Sequence, residues 1–333
     1  MDKWNQLVIS NKSKIYHLYQ WGTLINKAHG LKLVYLREEK GVLPLALVKS
    51  FIFGNRLISL PFADYGGPCA SDEETVKKLI LRAEEEARNL KVDFLEIRTP
   101  PDEKLFSLFE KLGFKRRDDY FTFLIDLNRG LEESWKAIGV KNRNMVGRAR
   151  KSGVKIIKAK NKSDLKIFYR LYLETMKRLG SPPQPFIFFE TIWDLFYHKN
   201  LLIPLAVFNN RYIAGGLFFL HQDIVHHSYS CSSKKNFIPG TNNLILWYVI
   251  EWAMGHGFKC LDLGRTRPGA GNVNFKKRWG GKPTSLPYFY KFYKKEIKER
   301  DEVKYKKWSD LWAKYLPQCL ANHIGPWLIK QIG

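Results

Sequence analysis

The chain has 333 residues, 45% of them apolar and 14% aromatic, and a net charge of +24 from 56 Lys and Arg against 32 Asp and Glu. That length makes two domains the expectation, and that apolar content excludes a disordered chain. The cationic excess favours encounter with nucleic acid, an anionic membrane or phosphorylated substrates, although a lysine-rich composition with no functional content accounts for it equally well.

Taken in chain order, the periodicity gives two similar passes. In the first, residues 32–38, 42–53 and 56–60 run as strands, and 61–70 is a turn-rich loop. Ser71-Asp72-Glu73-Glu74 opens a helix to about Leu90 with a capping pattern. A buried strand (92–98), a helix (101–112) closed by Gly113 and a strand (120–127) follow. In the second pass, 132–151 and 163–179 read as helices, and 201–208, 212–220 and 224–230 as strands. Next come a helix from Thr241 to Gly255, a strand (259–263), a short helix (274–279) and a strand (286–293). Repetition of strands, helix, strand, helix, strand predicts an α/β protein with mixed sheets flanked by helices. The expected domains are 1–128 and 129–293, with a basic helical tail over 294–333. No sustained heptad pattern suggests a coiled-coil arm.

Cys69, Cys231, Cys260 and Cys319 are far apart and form no C-x-x-C pair, which argues against a zinc ribbon, a redox motif and a disulfide framework. Residues 1–14 are polar, and no apolar run approaches the ~20 residues of a spanning helix. A cytoplasmic protein is expected. His226 and His227 are neighbours on a strand and face opposite ways, so they are not expected to share a metal. No H-E-x-x-H or G-x-S-x-G sequence occurs, and no metal is expected.

The most informative segment is Leu261-Asp262-Leu263-Gly264-Arg265-Thr266, followed by Asn274-Phe275-Lys276-Lys277-Arg278-Trp279-Gly280-Gly281. Three consecutive cations between Phe275 and Trp279 suggest an anion held against an apolar wall. Asp262 reads as a base or orienting carboxylate, or equally as half of a structural ion pair, for instance with Arg265. Residues 134–163 contain ten Lys or Arg and no Asp or Glu. Within them Arg143 and Arg148 are candidates for phosphate contact. Tyr229 either lines an acceptor pocket or belongs to the core.

This segment resembles the FemAB-like branch of the GNAT acyltransferases, in which a D-x-G-R strand end is followed by F-K-x-x-W-G. The similarity covers roughly residues 21–293. The run D-L-G-R-T-x-x-G-A-G-N-x-N-F-K-K-R-W-G-G-K-P is especially similar to a FemAB-like subgroup associated with exopolysaccharide and exosortase systems. The resemblance implies tandem GNAT-type domains. It also implies transfer of an aminoacyl or related acyl group to an amine or hydroxyl of a phosphate-bearing cell-envelope precursor. In it, Phe275 and Lys276 lie where ester and acceptor meet, and the lysine stabilises the oxyanion; the alternative for Lys276 is a solvated lysine on a basic surface helix. Trp279 and Phe275 read as core wedges before substrate platforms.

An acyl-CoA pyrophosphate would be held by backbone N–H groups at a Gly-rich turn before a helix. The second pass offers residues 232–241 there, with Gly240 as the one glycine, and the first offers Asp64-Tyr65-Gly66-Gly67-Pro68. Neither is a convincing cradle, and the resemblance itself implies an aminoacyl-tRNA donor, with acyl-CoA as the rival and no tightly bound cofactor. Gly240, Asn242, Arg265, Asp64 and Tyr65 are carried as candidate substrate-binding residues. In the tail, residues 291–307 have eight cations against four anions, and Trp308, Trp312, Tyr315, Trp327 and neighbouring aliphatics follow. Such an end either lies on an anionic membrane surface or packs back on the protein.

Overall fold

The computed structural model describes residues 2–51, 53–294 and 302–333, in two compact units. The first unit comprises residues 1–121, 285–301 and 326–333, and the second 122–284 and 302–325. The chain opens with helices α1 (Asp2–Ser10) and α2 (Tyr19–His29) and strands β1 (Lys32–Glu38), β2 (Gly41–Val48), β3 (Arg56–Ile58) and β4 (Cys69–Ala70). Helix α3 (Glu73–Asn89), β5 (Phe94–Arg98), α4 (Glu103–Lys111) and β6 (Lys115–Arg117) follow. The next stretch holds β7 (Phe121–Asp126), α5 (Leu131–Ala137), α6 (Val140–Lys151), β8 (Lys155–Lys158), α7 (Lys162–Arg178) and α8 (Phe186–Phe196). After it come β9 (Leu201–Leu202), β10 (Pro204–Phe208), β11 (Arg211–His221), β12 (Ile224–Ser232), α9 (Thr241–Gly255), β13 (Cys260–Asp262), α10 (Val273–Lys277) and β14 (Lys282–Ser285). The last elements are β15 (Tyr288–Phe292), α11 (Glu302–Tyr315) and α12 (Gln318–Ile332).

The first sheet has the order β1-β2-β3-β5-β15-β6, with β4 on β2. The second has the order β14-β7-β13-β12-β11-β10-β8, with β9 on β11. Each contains a parallel pair among antiparallel neighbours, β3 with β5 and β12 with β13. Glu96 pairs in register with Ile58, and Asp262 with His226. The repeat read from the sequence is therefore a repeat of topology, and the architecture is a tandem GNAT-type α/β fold.

Two strands sit elsewhere than the expected boundaries at 128 and 293 place them. Strand β15 lies in the first sheet, between β5 and β6, and β7 lies in the second, between β14 and β13. The reason for β15 is visible in its alternation. Phe289 is fully buried and stacks on Phe109 at 4.8 Å, while Tyr288 and Tyr290 on the other face receive the Arg98 and Arg117 guanidiniums. Without this strand, β5 and β6 would each lose their antiparallel partner.

The helix expected over 132–151 is broken at Ile138 and Gly139, where extended backbone separates α5 from α6. The cap of α3 is Asp72, whose carboxylate accepts from the Thr75 N–H at 2.8 Å. In the tail, Lys177 donates to the Trp312 and Ala313 carbonyls at 2.7 Å, and the Ser309 hydroxyl donates to Leu179. The tail thus packs back, yet Trp308, Tyr315 and Trp327 remain exposed. Of the basic run 291–307, residues 295–301 lie outside the described residues.

Candidate active site

Strands β12 and β13 pair only over residues 224–226 with 260–262. Beyond that point β12 parts from β13 and continues to Ser232 beside β11, and the splay opens a cavity of about 240 Å³ in the second unit. It is lined by Phe218 from β11, His227 and Ser230 from β12, Asn242 from α9, and Phe275 and Lys276 from α10, with aliphatic side chains between them.

A bulge in β12 decides which side chains reach it. Phe218 pairs with His227 and Leu217 with Tyr229, so Ser228 is the extra residue. One extra residue inverts the alternation. His227 and Ser230, three apart, therefore share the face of Phe218 and Gly216, while Tyr229 turns to the other side. The His227 ring stacks on Phe218 at 4.4 Å, and its Nε2 lies 2.7 Å from the Ser230 Oγ. Burial pushes the His227 pKa down to about 3, with the Lys276 ammonium as the next cause and His226 after it. The ring is neutral at physiological pH.

Lys276 is buried, and its ammonium donates to the Gly264 carbonyl at 2.8 Å and the Arg265 carbonyl at 3.3 Å. Gly264, at φ 72°, turns the chain just after β13 and presents that carbonyl. Asp262 fixes the same turn from within. Its Oδ1 accepts from the Gly264 N–H at 2.9 Å and the Thr122 hydroxyl at 2.5 Å, and its Oδ2 lies 3.3 Å from His226 Nδ1. Asp262 is 1% exposed and lies outside the cavity lining, in the position of a structural carboxylate holding the loop that holds Lys276.

Of the residues singled out in the sequence, Lys276, Phe275 and Asn242 meet at the cavity, and Arg265 contributes its carbonyl. The Asn242 Oδ1 is buried without a hydrogen-bond partner among the described residues. Trp279 is 1% exposed and packs edge-on to Phe275 as a core wedge. Tyr229 packs against Tyr172, Phe188 and Phe189, away from the cavity. Arg143 spends its Nη1 on the carbonyls of Trp135, Lys136 and Ile138, capping the negative end of α5. Arg148 is exposed on α6. Asp64 and Tyr65 belong to the first unit, where Tyr65 is buried with Lys14 over its ring. His227, Ser230 and Phe218 were not foreseen, because only the bulge at Ser228 brings them together.

The fold raises the question of an acyl-CoA pyrophosphate at the start of α9. Gly240 has φ 91°, and a Cβ there would collide with the Met145 carbonyl oxygen. The Thr241 N–H already donates to Ile238. The glycine thus serves close packing of α9 on α6, and no second glycine occurs between Ser233 and Gly240. These residues do not fit a pyrophosphate cradle. Among the described residues no cluster of three His, Cys, Asp or Glu could hold a metal ion.

A domain family described as acetyltransferase (GNAT) domain matches residues 141–277. That match spans the whole cavity. Among solved structures, FemX aligns with a TM-score of 0.70 at 17% identity, covering 92% of this chain and 98% of that one. L-PGS from Bacillus licheniformis aligns with a TM-score of 0.64 at 12% identity, covering 94% and 97%. The C-terminal domain of a putative lysylphosphatidylglycerol synthetase from Agrobacterium fabrum gives 0.63 at 12%, covering 87% and 90%. No curated protein sequence matches the chain. At these identities the structural likeness establishes the shared tandem GNAT-type fold.

Proposed function

We propose that the protein is an acyltransferase that moves an aminoacyl or related acyl group from an ester donor to an amine or hydroxyl of a phosphate-bearing cell-envelope or polysaccharide precursor. The observation that carries this reading is the buried Lys276 ammonium in the cavity wall, fixed by two backbone carbonyls beside Phe275. Attack of the acceptor on the ester carbonyl carbon forms the new bond and turns the carbonyl oxygen into an oxyanion. Collapse then breaks the bond to the donor's oxygen. A fixed positive donor at the oxyanion is worth about 3 kcal/mol, and a water-poor wall strengthens it.

An aminoacyl-tRNA is the donor favoured by the poor fit for a CoA pyrophosphate at α9. The name lysylphosphatidylglycerol synthetase, borne by a protein of similar fold, pairs an aminoacyl group with a phosphate-bearing lipid, which suits the same donor and a phosphate-linked acceptor. Exposed Trp308 and Tyr315 among lysines support contact with an anionic membrane surface, at the inner face of a cytoplasmic membrane.

The test is a thermal-shift panel of CoA, acetyl-CoA, an alanyl-ester tRNA minihelix and a UDP-linked muropeptide. Ligand at a hundred times its dissociation constant adds about 2.7 kcal/mol. Stabilisation by the minihelix or the muropeptide is expected. A response to CoA and acetyl-CoA alone would transfer the reading to an acyl-CoA N-acyltransferase, and silence from all four would sink it.

A further inference from the structure

His227 and Ser230 face the cavity together because β12 carries an extra residue at Ser228, and the room around them is made by Gly216 on the facing strand. A Cβ at Gly216 would meet the Phe218 ring at 2.6 Å and then Ile245. Phe218 stacked on the imidazole at an interplanar angle of 16° fixes the ring plane. A neutral imidazole has one N–H. A relay through Ser230 requires that N–H on Nδ1, which leaves Nε2 to accept from the Ser230 hydroxyl 2.7 Å away. The Ser230 Oγ then keeps accepting capacity on a cavity whose wall also carries Lys276.

We propose that Ser230 is the proton-transfer hydroxyl of this site, with His227 as the positioning residue behind it that accepts the relayed proton. This rests on the acyltransferase reading. As the acceptor's nitrogen or oxygen bonds to the ester carbon, its proton passes to Ser230 Oγ, and the Ser230 hydroxyl proton passes to His227 Nε2. When the bond to the donor's oxygen breaks, the proton returns along the same path to that leaving oxygen, and Ser230 and neutral His227 are restored. The charges around His227 set the timing. Lys276 and His226 disfavour its protonation and Asp262 favours it, beyond the burial that dominates. An oxyanion beside Lys276 cancels the largest of those opposing charges, so the imidazole gains basicity at the moment the proton must leave the nucleophile. This is a change made in the transition state and absent from the ground state.

Transfer from the alanyl minihelix to the UDP-linked muropeptide would be followed in the full-length protein, with solvent isotope effects measured for each variant. S230A is expected to lower kcat about 100-fold with little change in KM. S230T, which keeps the hydroxyl, is expected to recover most of the rate, and H227Q to lose the multi-proton solvent isotope effect. If K276A is inert while S230A turns over as the wild type does, the relay falls and the acyltransferase reading stands. If the wild type transfers from no donor, that reading falls. A ¹⁵N spectrum of the His227 ring then decides the relay's geometry on its own: an Nδ1–H tautomer is expected, and an Nε2–H tautomer would overturn it.

Discussion

At the scale of single residues, Lys276 is unusual for what holds it. Its ammonium donates to the Gly264 and Arg265 carbonyls, which fix it on the cavity wall where negative charge would develop. Its substitution by alanine is expected to lower kcat by about 100- to 1000-fold while KM and substrate binding change little. Equal rates in single-turnover measurements would remove it from the mechanism. His17 makes a second residue-scale prediction, in the first unit. It is fully buried, its Nδ1 accepts from the Lys14 N–H at 3.0 Å, and its Nε2 donates to the Gly67 carbonyl at 2.9 Å. Burial, offset in part by the bond to the Gly67 carbonyl, lowers its pKa from 6.5 to about 4. The folded state therefore resists the proton that the unfolded state accepts. The resulting stability is complete above pH 6.5 and is lost as pH falls towards 4, by roughly 2 kcal/mol at pH 5. Chemical denaturation at pH 7.5 and pH 5 should show that difference in the wild type, and a smaller one in H17Q.

At the scale of elements, the exchange of strands is the feature most open to test. Phe289 sits at the centre of β15 among Phe106, Phe109 and Phe114, so F289A should cost about 3–5 kcal/mol. A loss under 1 kcal/mol in urea titration would mean that the strand does not complete this sheet. G240A forces a Cβ against Met145 at a positive φ and should cost about 1–3 kcal/mol, without any requirement for CoA. These two cases also mark what the sequence could convey. Strand 288–292 was legible from its alternation, as were β1, α9 and the helix ending at Gly113, because those signals are local. Its sheet was not, since pairing with β5 bridges a separation of nearly two hundred residues and leaves no local trace. Helix α8 was missed because Phe186–Phe196 is apolar on nearly every face, which hides helical periodicity. The F-K pair was legible as a motif at α10. His227 and Ser230 were hidden by parity, since a regular strand would have pointed them apart.

At the scale of the whole molecule, a net charge of +24 and an apolar tail have to be considered together. Trp308 is 72% and Tyr315 66% exposed on α11, with Lys306, Lys307 and Lys314 interspersed. The helix is nevertheless anchored through Lys177 and Ser309, so its outward face is fixed by packing. In the first unit Phe51 is 98% exposed, beside the exposed Lys49. Among the described residues no helix is long and apolar enough to cross a membrane. An aromatic face with lysines gains from both the interfacial region and an anionic surface, each lysine near that surface contributing about 1 kcal/mol. The wild type should therefore co-sediment with vesicles containing phosphatidylglycerol and much less with phosphatidylcholine alone. Raising the salt to about 0.5 M should weaken the electrostatic part, because the Debye length falls to a few ångströms. W308S combined with Y315S removes interfacial area without altering charge, so it should reduce binding while leaving its salt dependence in place. Binding that ignores both salt and the double substitution would mean that the tail's outward face does not meet the bilayer, and that its exposed aromatics await a different partner.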